Sequence, residues 1–251
     1  MKKSHTFFAL LVILLGSGCL DETPTSATTA AADSKTVKPF FNSDEFTGLV
    51  TLGDTSTKRY QDIALDYALD GNTGKEIQFS SCQQVDTTTE NEVVTSQLHL
   101  LQLLKVNCTA ANYYLLANNA ITNHSYWPTT LTNAFIKSLP ALAIPNLGGD
   151  SFNNRQGTLA EAEPKLAIQA LNPLSAEVIL DGDLAIIYVV LARADFNNDG
   201  FEDIFLRLDW NITTAFGKGF DWIILSKTAP EQLPSILSHA ENNSKQPPIN
   251  E

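Results

Sequence analysis

Asp195, Asn197, Asp199 and Asp203 stand within nine residues, in the run Asp-Phe-Asn-Asn-Asp-Gly-Phe-Glu-Asp-Ile (195–204). Side chains at alternate positions of a tight loop aim at one concave centre. An all-oxygen set of this kind suits a hard cation, and Ca²⁺ takes about six to eight oxygens. Gly200, in the sixth position, permits the sharp turn that brings the chain back around the ion. Phe201 would lend its backbone carbonyl and Asp203 would close the site, with one or two waters or a distant side chain completing the shell. The spacing implies no activated water and no base, so the expected ion is structural rather than catalytic. The competing reading is an Asx-rich hairpin turn that binds nothing.

The same run is similar to the calcium loops of FG-GAP and VCBS repeats. Their pattern is Asp-hydrophobic-Asp/Asn-x-Asp-Gly-hydrophobic-x-Asp-hydrophobic, and Phe196, Phe201 and Ile204 fill the hydrophobic places. The resemblance is local. An EF-hand loop would end in Glu at its twelfth position, where this chain has Leu206, and the flanks here read as strands. A propeller needs several blades of about forty residues each, and one loop does not supply them. Only the ion chemistry is carried over, with the affinity of extracellular calcium modules, on the order of 10⁻⁴–10⁻³ M.

Three cysteines occur: Cys19, Cys82 and Cys108. Cys19 closes the segment Leu15-Gly16-Ser17-Gly18-Cys19, behind Lys2, Lys3 and the apolar run of residues 7–15. A positive start, a short apolar core and small residues after it are a secretory signal, and the run is too short to span a bilayer. The segment resembles the lipobox of bacterial lipoproteins, with Gly16 where Leu is commonest. The resemblance implies cleavage before Cys19, which then carries acyl chains that hold the protein at a membrane without a spanning segment. Leu20 follows, where an Asp would favour inner-membrane retention, so the implied location is the outer membrane, facing the periplasm. Cys82 and Cys108 then form an even pair in an oxidising compartment, which makes them a disulfide candidate. Two buried free thiols are the alternative. A zinc site is disfavoured because no second Cys or His lies at close spacing.

Other chemical signals are weaker. Gly149-Asp150-Ser151 is similar to the Gly-Asp-Ser block of SGNH hydrolases, but it lies mid-chain, and Ile236 stands where the Asp partnering His239 would have to be. His99 lies among leucines with no ligand partner three or four residues away, so it reads as structural. His124, Tyr126 and Trp127, with Tyr113 and Tyr114, could stack on a glycan or fill a core. Asp209-Trp210 and Asp221-Trp222 flank a segment with Gly217 and Gly219, where a binding loop could sit.

The elements that must position these residues follow from periodicity. Ile63, Leu65, Tyr67 and Leu69 alternate, residues 70–74 (Asp-Gly-Asn-Thr-Gly) turn, and Ile77 and Phe79 resume, which is a hairpin. Val94, Leu98, Leu101 and Leu104 recur at helical spacing in residues 91–120, with Thr89 or Asn91 as caps. Short helices are expected over residues 131–138, ending before Pro140, and around residues 161–170. Strands follow at 176–180, 184–193, 203–210 and 221–225, with a last helix near residues 231–239. Strands, then helices, then strands imply an α+β domain with an antiparallel sheet and a helical middle segment. Residues 54–63 faintly echo the acidic loop. The expected organisation is a signal peptide (1–18), an acylated Cys and tether (19–39), one domain (40–240) and a polar tail (241–251).

Composition sets the limits. The chain has 251 residues, a net charge of −12, 43% hydrophobic and 18% charged residues. That is too apolar for a disordered chain and too polar for a multi-span membrane protein. Removing residues 1–18 takes away Lys2, Lys3 and no acid, so the charge deepens to −14. Such a surface repels phosphate, so nucleic acid is excluded as a partner. The reading is a non-enzymatic binding or envelope-assembly lipoprotein with a protein or glycan ligand. The alternative class is a hydrolase acting on envelope polymers.

Overall fold

In a computed structural model of the chain, the described residues are 37–46, 48–49, 52, 60–117, 120, 122, 124–147 and 154–240. Cys19, the signal, nearly all of the tether, the 241–251 tail, Gly149-Asp150-Ser151 and most of the 54–63 echo lie outside them. The fold is α+β. Strands β4 (Ala167–Asn172), β5 (Ser175–Leu180), β6 (Leu184–Ala194), β7 (Asp203–Ile212), β8 (Lys218–Ser226) and β9 (Ser235–His239) form an antiparallel sheet in that order. The two-residue strand β1 (Phe40–Phe41) pairs with β6 at Arg193 and Ala192. A separate hairpin joins β2 (Ala64–Asp70) to β3 (Glu76–Ser81).

The central strands are apolar on both sides because both faces of the sheet are covered. β6 reads LAIIYVVLARA and is buried at nine of its eleven positions. On one face its residues Val189, Leu191 and Ala192 meet Phe205, Trp222, the β2–β3 hairpin and α2 (Leu98–Ala117). On the other, Ile186, Tyr188 and Val190 meet Ile204, Leu206 and the segment from Trp127 to Leu159. The register slips between Val190 and Ala192, and this bulge sets Leu191 and Ala192 together on the α2 face. The Tyr188 hydroxyl, fully buried, donates to the Ala143 carbonyl at 2.7 Å, and burial holds it protonated.

Helix α2 presents Leu101, Leu104, Cys108 and Ala111 to the sheet at three- and four-residue spacing, each at most 1% exposed. It starts at Leu98, later than the apolar spacing predicts. Val94 N–H donates to the Asp70 carbonyl, and Gln97 bonds to Asp70 through both ends of its amide. The β2–β3 turn thus holds residues 93–94 extended. Thr89 caps a short 3₁₀ turn over Glu90–Glu92 instead, in a capping box with Glu92. Helix α3 (Asn133–Ser138) is capped by Thr132, whose hydroxyl accepts from Phe135 N–H at 3.1 Å.

Two expected helices are corrected. The helix around 161–170 shrinks to α4 (Leu159–Ala162), because Pro164 disfavours helical geometry at Glu163, and the following residues become β4. The terminal helix near 231–239 is strand β9. Pro234 interrupts it, and Ser235–His239 instead satisfies the open edge of β8.

Buried Arg207 on β7 ties three layers together. Its guanidinium donates to the Glu45 carbonyl at 2.8 Å, to Asn107 Oδ1 on α2 at 3.1 Å and to both oxygens of Asp209 at 2.6 and 2.9 Å. Cys82, opening α1 (Cys82–Thr87), is bridged to Cys108 of α2, with Cα atoms 5.5 Å apart and both side chains buried. Closing this loop contributes about 3–4 kcal/mol by the chain-entropy relation.

Candidate metal centre

The acidic run forms the connection between β6 and β7. Asp195, just past β6, is buried, and Asp203, the first residue of β7, has no exposed surface. Most of the loop's polar groups are spent on its own backbone. Asp195 accepts from Asp199 N–H at 3.1 Å and Gly200 N–H at 2.8 Å. Asp203 Oδ2 accepts from Phe196 N–H at 2.9 Å, and Asp199 Oδ1 from Phe201 N–H at 2.9 Å. Asn197 accepts from Asp199 N–H at 3.1 Å and donates to Asp199 Oδ2 at 2.8 Å. Asn198 at φ 61° and Gly200 at φ 87° adopt the left-handed turns this winding needs, which Asn and Gly tolerate best.

The predicted ligands Asp195, Asn197, Asp199, Phe201 and Asp203 are therefore brought into one loop. Among the described residues, however, no three His, Cys, Asp or Glu side chains converge as a metal-holding group. One oxygen is left over: Asp203 Oδ1 is buried without a hydrogen bond, and so is Ser226 Oγ. The Ser226 hydroxyl lies beside the Asp203 carboxyl and lowers its pKa. Burial dominates and pushes the Asp203 carboxyl up to about 7, with the charges of Asp199 and Asp195 adding to the rise. An orphaned, desolvated carboxylate oxygen in an all-oxygen set fits a hard cation.

A second segment clasps the loop. His124 N–H donates to the Gly200 carbonyl at 3.3 Å, and Glu202 N–H to the His124 carbonyl at 2.8 Å. Ser125 Oγ donates to Glu202 Oε2 at 2.6 Å, and the Trp127 indole N–H to the Glu202 carbonyl. Arg193 lies behind this contact and donates to the Pro128 carbonyl at 2.9 Å. Burial raises the Glu202 carboxyl, opposed by Ser125 and Arg193, and lowers the Arg193 guanidinium, opposed by Glu202. Sequence reasoning missed this pair, because Glu202 falls at a position the loop pattern leaves free.

The aromatic cluster divides. Tyr113 packs on Phe196, Phe205 and Trp222, and Tyr114 on Phe41, both filling the core against the α2 face. His124 and Tyr126 instead gather around Phe201, with ring centroids 5.7 and 5.8 Å from it. The loop's two phenylalanines thus anchor it on opposite sides. His99 and Trp210, from the weaker signals, both line an open groove at the far end of β7, with Gln102, Phe216 and Lys218. No short motif marked those three.

Comparison with known protein families, with characterised proteins and with solved structures finds no match for this chain.

Proposed function

We propose that the chain is an exported lipoprotein, anchored through acyl chains on Cys19, that serves as a binding or envelope-assembly module and holds a structural calcium ion in the β6–β7 loop. The observation that carries the export reading is the buried Cys82–Cys108 disulfide. A bridge of this kind persists in an oxidising compartment, where a lipobox signal sends its chain. The residue after Cys19 is Leu20, which by analogy favours the outer membrane, facing the periplasm. The acyl chains hold the protein there, since the net charge of −14 left after removal of residues 1–18 gains nothing from an anionic lipid surface.

The ion reading rests on the 195–203 spacing and on the orphaned Asp203 Oδ1. Asp195, Asn197, Asp199, the Phe201 carbonyl and Asp203 would hold the ion. Bound there, it would supply positive charge beside the buried carboxylates of Asp195 and Asp203. At a calcium concentration ten times the dissociation constant it stabilises the fold by about 1.4 kcal/mol.

Two measurements test these readings separately. Wild type should melt higher in calcium than in chelator, and Asp199→Ala should lose the difference. Identical wild-type melting in both refutes the ion. Cys19→Ser should convert the protein to a soluble, unacylated form, and unchanged membrane partitioning refutes the anchor.

A further inference from the structure

We propose that the groove between the amino end of α2 and the β7–β8 hairpin binds a saccharide, with a pyranose ring stacked on Trp210. This deepens the binding-module reading and rests on it. The groove has a volume of about 640 Å³, within the usual range for small-ligand sites. Its lining joins two features that sugars need together.

The first is a flat apolar surface. Trp210 is half-buried, seated on the core at one side and open to the groove at the other. Phe216, at the tip of the hairpin, is fully exposed. Gly219 makes room for the floor: a Cβ there would lie 2.7 Å from Trp210 Cζ2 and 2.9 Å from Gln102 Oε1. Its absence lets the indole and the amide lie close across β8.

The second is a set of neutral donors and acceptors. Gln102, Asn211 and Ser96 are exposed and line the same groove. Amides and hydroxyls both give and accept hydrogen bonds, as sugar hydroxyls require. A peptide would instead ask for apolar pockets at alternate side chains. Burial and the Lys218 charge hold His99 below its ordinary range, so it adds a neutral imidazole to this set.

Charge narrows the class. Lys218 is exposed at the rim, against one carboxylate in the lining, Glu90. In a chain of net charge −12 this favours a sugar that carries an acidic group, a uronic acid, over a neutral one.

An array of neutral, N-acetylated and uronic-acid oligosaccharides, probed with the purified full-length protein, tests the site. The strongest ligand is then titrated calorimetrically against wild type, Trp210→Ala, Phe216→Ala and Gln102→Ala. Binding that weakens about tenfold or more in Trp210→Ala, and measurably in the other two, is expected. Phe216 and Gln102 are exposed, so their variants keep the test intact if Trp210→Ala misfolds. No bound saccharide, or a titration that none of the variants moves, overturns the proposal. A neutral glycan that binds more tightly than any uronic-acid oligomer overturns the charge preference. Failure here leaves the calcium-dependent melting and the membrane partitioning unchanged, so it is separable from failure of the wider reading.

Discussion

At the amino end of β7, the loop over residues 195–202 satisfies its own backbone through three carboxylates and an amide, and a second segment clasps it. At the carboxyl end of the same strand, the hairpin turn leaves Phe216 in solvent beside Trp210 and Lys218. The first connection bonds its polar groups to its own backbone and packs Phe196 and Phe201 against neighbouring rings, while the second leaves Phe216 fully exposed. Both contain Gly and polar residues, so composition does not separate them. What separates them is where each group's partner lies. Partners inside the chain make a connection part of the scaffold, whereas an exposed side chain such as Phe216 stays available for the ligand proposed above.

Three substitutions test this contrast. Arg207→Met acts on the strand that joins the two ends. It strands Asp209 and the Asn107 carbonyl oxygen, and a loss of about 3 kcal/mol in urea denaturation is expected, the low end for a broken buried pair because Asp209 is partly exposed. A smaller loss than at either connection would mean that β7 does not couple them. Asp195→Ala removes the acceptor of two backbone N–H groups from a buried site and should cost about 2–3 kcal/mol. It should also raise amide exchange at Asp199 and Gly200 while exchange in the β7–β8 hairpin stays unchanged. Phe216→Ser should shift stability by no more than about 0.5 kcal/mol, since the side chain touches little. A clear destabilisation there would erase the distinction between the self-bonded loop and the exposed hairpin.

The two ends also differ in how far they could be read from sequence. The acidic loop is contiguous, so spacing alone gathered Asp195, Asn197, Asp199 and Asp203. The β2–β3 hairpin was legible for the same reason, its turn and alternation lying within residues 63–79. The groove joins residues 90–102 to 210–218, and no local pattern could bring Gln102 to Trp210. The two lost helices fail by a related route. Leu233, Ile236 and Leu237 stand at helical spacing, yet the unpaired edge of β8 is the stronger claim on that backbone. Residues 167–172 likewise become a strand because β5 offers a partner. Thr89 caps only the 3₁₀ turn over Glu90–Glu92, and the pull of Asp70 on Val94 and Gln97 delays the helix that spacing starts at Thr89 or Asn91.

Val37 is the first of the described residues, and its N–H donates to the Thr122 carbonyl at 3.0 Å, two residues from His124 and the acidic loop. The chain then runs as β1 beside Arg193, at the same end of the sheet. Residues 203–209 of β7 separate that end from the groove by roughly 20 Å. Under the anchoring proposed through Cys19, any pull would enter the described fold at Val37, at the opposite end of β7 from the groove proposed for a saccharide.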